Sequence, residues 1–414
     1  ESTDANTRQE TPPGEEPAFA DVDENPRITT PDSEDGPAAT TEQPALTAAT
    51  SQRSGFREGP RTSGRWAAPV EEPEEGSVSG SDGEASNHEA EDLSDADEPH
   101  DSYGKLAYLT KCDDMGLNPV SQVLKYLEQE DMQLTHYGMG PRGVAALAAG
   151  LQVNSTISTL RMADNHLGAE GCSLLLLSLK NKNSVTEIDL SDNSMGKGIA
   201  ALPPLLAPKF SVVTTLHLRG NKLGDREAKI LCDALSQNTT VTYLDVSVNQ
   251  FSEKGGHFIG GLLETTAIVK ELNMAWNNLR AKGCGHISQA LKANSALEVL
   301  NIGWNGLGDD GMIALGEALA INTGLVELML SSNSISGKGF VVLAKGIAAN
   351  VSLASVELDH NNIGGSDGPG IREAVDGNKG LVAMGLSNCN VADELRTYVD
   401  AVLFQRRKQQ GSSQ

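Results

Sequence analysis

The chain has 414 residues, 38% of them hydrophobic but only 4% aromatic, and a formal charge of −24. The charge is uneven: residues 1–102 hold 26 Asp/Glu against 6 Lys/Arg, which leaves a nearly balanced 30 and 26 for the rest. That distribution excludes a basic nucleic-acid footprint outside the short run Arg406-Arg407-Lys408, and no stretch approaches 18 consecutive apolar residues, so no membrane-spanning helix is expected.

Residues 1–102 are rich in Glu, Asp, Pro, Ser, Thr, Ala and Gly and nearly devoid of Leu, Ile and Val. Such a segment cannot bury enough apolar surface to offset backbone ordering, which predicts a disordered acidic tail. Ser81, Ser86 and Ser94 have an acid three residues on, and Thr11-Pro12 and Thr30-Pro31 are Thr-Pro pairs, patterns that suit phosphorylation. Trp66 reads as an unstructured residue with a docking motif as the alternative. No apolar signal-type segment follows Glu1, and an N-terminally incomplete chain stays open. The five cysteines (112, 172, 232, 284 and 389) are widely spaced with no C-x-x-C, which fits a reducing, cytoplasmic setting.

Residues 103–131 read as a helical N-terminal cap, with Asn118-Pro119 as a helix start. From there an internal period governs the chain. Asn165, Asn193, Asn221, Asn249, Asn277, Asn305, Asn333 and Asn361 recur every 28 residues, with Tyr137 one step before and Cys389 one step after. Five before each Asn stands an apolar residue (Leu160 through Val356), three before another (Met162 through Leu358), and two after a third (Leu167 through Ile363, with Phe251 among them). The alternating L-x-L reads as a short strand, and pairs four apart such as Leu147/Leu151 and Leu315/Leu319 as one face of a helix. Asn at the helix end (154, 238, 294, 322, 350 and 378) suits a left-handed C-cap, which also accounts for the three glycosylation sequons beginning there. The turn Asn, which can both donate and accept, is expected to satisfy backbone groups; Cys389 could do so only weakly. One unit departs: Leu202-Pro203-Pro204 removes helix donors, so that helix should be broken. Residues 132–391 thus form about ten units, and residues 392–414 a C-terminal capping helix and basic tail.

The pattern L-x-L-x-x-N-x-L with a helical half resembles the ribonuclease-inhibitor type of leucine-rich repeat, implying an α/β solenoid. That solenoid is a curved horseshoe with parallel strands on the concave face and helices on the convex face. The run from Leu117 to Leu127, that from Leu134 to Leu147, and Leu272-Asn-Met-Ala-Trp-Asn-Asn-Leu279 are similar to the family of leucine-rich repeat-containing protein 74. That resemblance implies a cytoplasmic, non-enzymatic repeat protein.

No P-loop, H-E-x-x-H or paired Cys/His spacing occurs, so neither a metal nor a cofactor is expected. Gly364-Gly365-Ser366-Asp367-Gly368 matches G-x-S-x-G, but it falls where other units carry glycines (Gly168/Gly171, Gly308/Gly311) and reads as loop. The residue before the turn Asn is more telling. Trp276 and Trp304 occupy that slot in adjacent units, either as an aromatic binding hot spot at the concave edge or as covers for the turn. Around them the outward strand positions are mostly acidic or polar (Tyr243, Asp245, Glu271, Glu327 and Glu357 among them), with Arg161 and Arg219 the bases. A second row, Arg142, Lys254, Lys282 and Lys338, is expected on the loops.

These readings predict a non-enzymatic interaction scaffold that binds a protein partner, a basic one being favoured by the acidic outward rows, through the concave face and loop edge at Trp276, Trp304, Tyr243, Arg219, Asp245, Glu271, Glu327 and Glu357. No nucleic acid or membrane partner is expected, and the chain should be monomeric on its own. Two alternatives stand beside this one: a GTPase-activating regulator resembling the Ran GTPase-activating protein, and a cytoskeletal or ciliary structural component.

Overall fold

The computed structural model describes residues 101–363 and 368–411. The expectations for residues 1–100, including the tail, its phosphorylation patterns and Trp66, lie outside the described residues, as does Gly364–Asp367 of the G-x-S-x-G match.

Two helices, α1 (Lys105–Asp114) and α2 (Ser121–Tyr126), precede the first strand. The second begins at Ser121 rather than at Pro119, and the Tyr108 hydroxyl accepts the Val120 N–H at 2.9 Å. Ten three-residue strands follow: β1 (Asp131–Gln133), β2 (Thr159–Arg161), β3 (Glu187–Asp189), β4 (Thr215–His217), β5 (Tyr243–Asp245), β6 (Glu271–Asn273), β7 (Val299–Asn301), β8 (Glu327–Met329), β9 (Ser355–Glu357) and β10 (Ala383–Gly385). They form one parallel sheet in sequence order, each pairing with the next. The register is the 28-residue period itself: Leu244 lies opposite Leu272, and Leu272 opposite Leu300. Those central residues are buried, while their strand neighbours face away from the core.

The connecting helices are α3 (Gly140–Val153), α4 (Gly168–Ser178), α5 (Asp225–Leu235), α6 (Glu253–Thr265), α7 (Arg280–Leu291), α8 (Gly308–Leu319), α9 (Gly337–Ala349) and α10 (Gly368–Gly377), with α11 (Asp393–Gly411) at the end. Between β3 and β4 the Pro203-Pro204 unit carries only a 3₁₀ helix, Gly196–Ala201, followed by turns. Leu202, Leu205 and Leu206 remain buried there, so the apolar pattern survives the loss of helical donors. Sheet and helices enclose one continuous apolar core. At its far end the Arg406 guanidinium donates to the carbonyls of Val375, Asn378 and Leu381 at 2.7–3.0 Å, so the first residue of the basic run is anchored on the last repeat.

The turn asparagines act as a buried ladder. Asn193 Nδ2 donates to the carbonyls of Met162, Leu190 and Ser191, and its Oδ1 accepts the N–H groups of Asn165 and Leu167. Cys389, at the last step, donates its thiol to the Leu358 carbonyl at 3.0 Å and the Ser387 carbonyl at 3.5 Å.

Three local expectations need correction. The helix-end asparagines are not left-handed: Asn154 has φ −58°, ψ 135° and Asn350 φ −72°, ψ 140°. They cap with the side chain instead. Asn350 Nδ2 donates to the carbonyls of Leu319 and Asn322, and its Oδ1 accepts from Ser352 and Leu353, a second ladder joining neighbouring repeats. Lys182 stands in the same slot and donates Nζ to the Gln152 and Asn154 carbonyls, the latter at 2.7 Å. Gly168/Gly171 and Gly308/Gly311 lie in the first turns of α4 and α8, not in loops. A Cβ on Gly171 would come within 3.1 Å of the Val144 side chain and 3.2 Å of Pro141, so glycine allows the close approach to the preceding repeat. Arg142, Lys254, Lys282 and Lys338 likewise sit on first helical turns; Lys282 Nζ reaches Glu253 at 3.6 Å.

Candidate functional site

Each strand exits through one left-handed residue before its ladder Asn. The slot holds Asp164, Asp192, Gly220, Val248, Trp276, Trp304, Ser332 and His360 in turn, all with φ between 51° and 66°. The repeat imposes this conformation, because each slot N–H donates to a carbonyl of the next repeat: Val248 to Ala275, Trp276 to Gly303, Trp304 to Ser331. Glycine, Asp and His tolerate such a φ, whereas a β-branched Val or a bulky Trp is an outlier there. The conformation costs a non-glycine residue about 1–2 kcal/mol. Two neighbouring repeats nonetheless present Trp.

Trp276 and Trp304 stack with ring centroids 4.0 Å apart and planes 9° from parallel. They remain 52% and 45% exposed, so the pair stands out from the sheet edge instead of sealing a turn. Mutual stacking offsets the backbone cost only in part, at about 0.5–1.5 kcal/mol. An open hollow of about 640 Å³ beside Trp304 is bounded by Asn277, Arg280, Gly308, Asp309 and Asp310. A groove of about 610 Å³ shares Trp304 and Ser332 with it and is lined also by His360.

The remaining expected contact residues lie on the helix-free face of the sheet. Arg219 and Glu357 are exposed, Tyr243, Glu271 and Glu327 half-buried, and Asp245 buried at 8%. The acids outweigh the bases there. Arg161 is shared between Asp131 at 3.0 Å and Glu187 at 2.8 Å. Burial pushes the Tyr243 phenol well above its ordinary value, and the carboxylates Asp245, Glu271, Asp189 and Glu187 add to the shift. His217 packs on Tyr243 with ring centroids 4.8 Å apart.

Asp245 is raised above the ordinary Asp value, chiefly by burial, even though its carboxylate accepts the Ser247 N–H at 2.8 Å. The folded chain therefore binds this proton more tightly than the unfolded chain does. Stability linked to the group is fully present below the ordinary Asp value and declines as pH rises through the raised one. Asp245→Asn keeps an oxygen for Ser247 and removes the buried charge, so it should stabilise the fold at pH 7 by about 0.5–2 kcal/mol. Urea midpoints at pH 7 and pH 4 check this: the gap between parent and variant should narrow in acid, and no gap at pH 7 refutes it.

Among the described residues no group of His, Cys, Asp and Glu has the arrangement of a metal site, and no helix is long and apolar enough to cross a membrane. All five cysteines are buried and free, and burial pushes the thiols of Cys172, Cys232 and Cys284 up to about 12, far from thiolate reactivity. The left-handed slot conformation is the feature sequence reading missed; the recurrence of Asp, Gly, Ser and His there was its visible trace.

A family model described as Leucine Rich repeat matches residues 153–176, 237–260 and 293–316. Among solved structures the chain is similar to Leiomodin-1 Actin-Binding Site 2, with 18% identity over 37% of this chain and 92% of that one, at a TM-score of 0.33. It is also similar to a chain of the yeast Rad7 and Elc1 complex, with 14% identity over 71% and 90% and a TM-score of 0.35. The matched repeats and the single ten-stranded parallel sheet make this an α/β leucine-rich-repeat solenoid.

Proposed function

We propose that this leucine-rich-repeat solenoid is a non-enzymatic interaction scaffold, cytoplasmic and monomeric on its own, that binds a basic protein partner through its helix-free sheet face and the Trp276–Trp304 edge. One observation carries the reading: two exposed indoles stacked at 4.0 Å, both held in a backbone conformation that Trp disfavours. A residue kept where it costs stability points to use elsewhere, and Trp is over-represented among the residues that dominate binding energy. The acidic strand rows supply charge complementarity, which acts mainly on association rate and specificity. Repeat solenoids offer extended surfaces for such contacts. The likeness of the 272–279 stretch to the family of leucine-rich repeat-containing protein 74 agrees with a non-enzymatic role.

The test is affinity capture by the full chain beside the Trp276→Ala/Trp304→Ala double variant, with circular dichroism establishing that both are folded. A partner captured by the parent should fall at least tenfold with the variant, and its association rate with the parent should drop as salt rises. Identical capture by parent and folded variant would overturn the reading.

A further inference from the structure

Along the edge the left-handed slots run Trp276, Trp304, Ser332, His360 and Asn388 in successive repeats. Trp276 covers one face of the Trp304 indole. The other face looks along the row over Ser332, the one short side chain between two rings, and the groove there is lined by Trp304, Ser332, Ser334, Ser336, His360 and Asn362. Its far wall is held in place, since Asn388 Nδ2 lies 3.3 Å from His360 Nδ1. Strand spacing sets the width: two repeat steps of ~4.8 Å put the Trp304 and His360 positions about 9.6 Å apart. A flat group midway would sit about 4.8 Å from each ring, within the ~6 Å over which a cation is attracted to an aromatic face.

The surroundings decide what kind of flat group. Glu327 stands on the Ser332 repeat and Glu357 and Asp359 on the His360 repeat, and in the neighbouring hollow Asp309 and Asp310 outnumber Arg280. Neither these acids nor Lys338, the base on the first turn of α9, line the groove itself, so they set the charge around it and not a contact within it. Ser332 Oγ is buried and makes no hydrogen bond among the described residues, which leaves an acceptor beside the groove floor. Turning one χ1 bond would bring it to an incoming donor. An uncharged aromatic ring would use the stacking surface alone, and a lysine ammonium the charge alone. A guanidinium is planar, permanently charged, weakly hydrated and rich in N–H donors, so it uses all three.

We propose that the slot over Ser332, between Trp304 and His360, takes the guanidinium of an arginine on a protein partner. This rests on the edge reading above and names its chemistry.

The experiment compares fluorescently labelled nona-arginine and nona-lysine peptides on the full chain by anisotropy at about 0.5 M salt, where exposed charge pairs are largely screened. Residues 1–102 also attract polycations, but identically in every variant, so the Arg/Lys affinity ratio is the readout. The parent should prefer nona-arginine about tenfold more strongly than Trp304→Ala does. Ser332→Trp should lose the preference as well: it fills the slot with a residue the two preceding repeats already hold in the same conformation, which keeps the fold. A ratio equal in parent and both folded variants overturns the arginine assignment. If the Trp double variant meanwhile loses its captured partner, the edge is still a binding site and only its ligand chemistry is wrong.

Discussion

Asn333→Ala is expected to lower the unfolding free energy by about 2–4 kcal/mol. The residue is fully buried, and its amide oxygen is the acceptor for two backbone N–H groups of the preceding repeat. Nδ2 donates to the carbonyls of Ile302, Leu330 and Ser331 at 2.9, 3.0 and 3.5 Å, and Oδ1 accepts the N–H groups of Asn305 and Leu307 at 2.9 and 3.4 Å. Alanine strands the two backbone donors away from water, and each buried orphan costs about 1–3 kcal/mol before relaxation; the three carbonyls keep a second donor each, from Asn305 Nδ2, Asn361 Nδ2 and the Trp304 N–H. Asn333→Asp is the sharper control: it keeps the acceptor but aims a second oxygen at three carbonyls, so it should be no better than alanine. Urea denaturation read by circular dichroism measures both; a loss under 1 kcal/mol for alanine would mean that the ladder is dispensable.

The second large effect is Gly346→Val, expected to cost about 3 kcal/mol or more. Gly346 in α9 faces Gly316 in α8, and a Cβ built there would collide with the Gly316 carbonyl oxygen and lie 2.8 Å from its Cα. Helix backbone cannot swing aside as a side-chain tip can, so the two helices must part and the core between them must open. Gly285→Ala in α7 should have the opposite sign. Nothing lies within 4 Å of its would-be Cβ, and alanine there gains about 0.5–1 kcal/mol over glycine in a helix interior. Urea midpoints for the two variants check the contrast; equal and small shifts would mean that the α8–α9 approach is slack.

Much of the solenoid was legible because its period is carried by residues with few substitutes. A buried turn that must serve several backbone groups at once wants an amide, so Asn recurs from Asn165 to Asn361. Aliphatic residues five and three before it are the ones that strand pleating turns inward, and the Pro203-Pro204 break followed from missing donors. The helix-end asparagines were legible as caps but not as to geometry. Composition reveals that Asn satisfies something, not whether backbone or side chain does the work; only the neighbouring repeat, with its carbonyls 2.7–2.8 Å from Asn350 Nδ2, decides that.

For the candidate site the division runs differently. Sequence alone set Trp276 and Trp304 one period apart, and it set the acid excess along the outward rows. It could not distinguish an indole folded over its turn from one standing out, because that depends on the left-handed exit φ and on the ring across the way. Nor could it separate Glu357, which meets solvent, from Asp245, which hardly does. What the sequence by itself determined was the repeat, its register and the identity of every residue on each row, since these follow from a period locked to backbone hydrogen bonding. Side-chain exposure, the stacked pair and the groove over Ser332 were decided by tertiary structure, because they arise between residues 28 apart that meet only once the strands lie side by side.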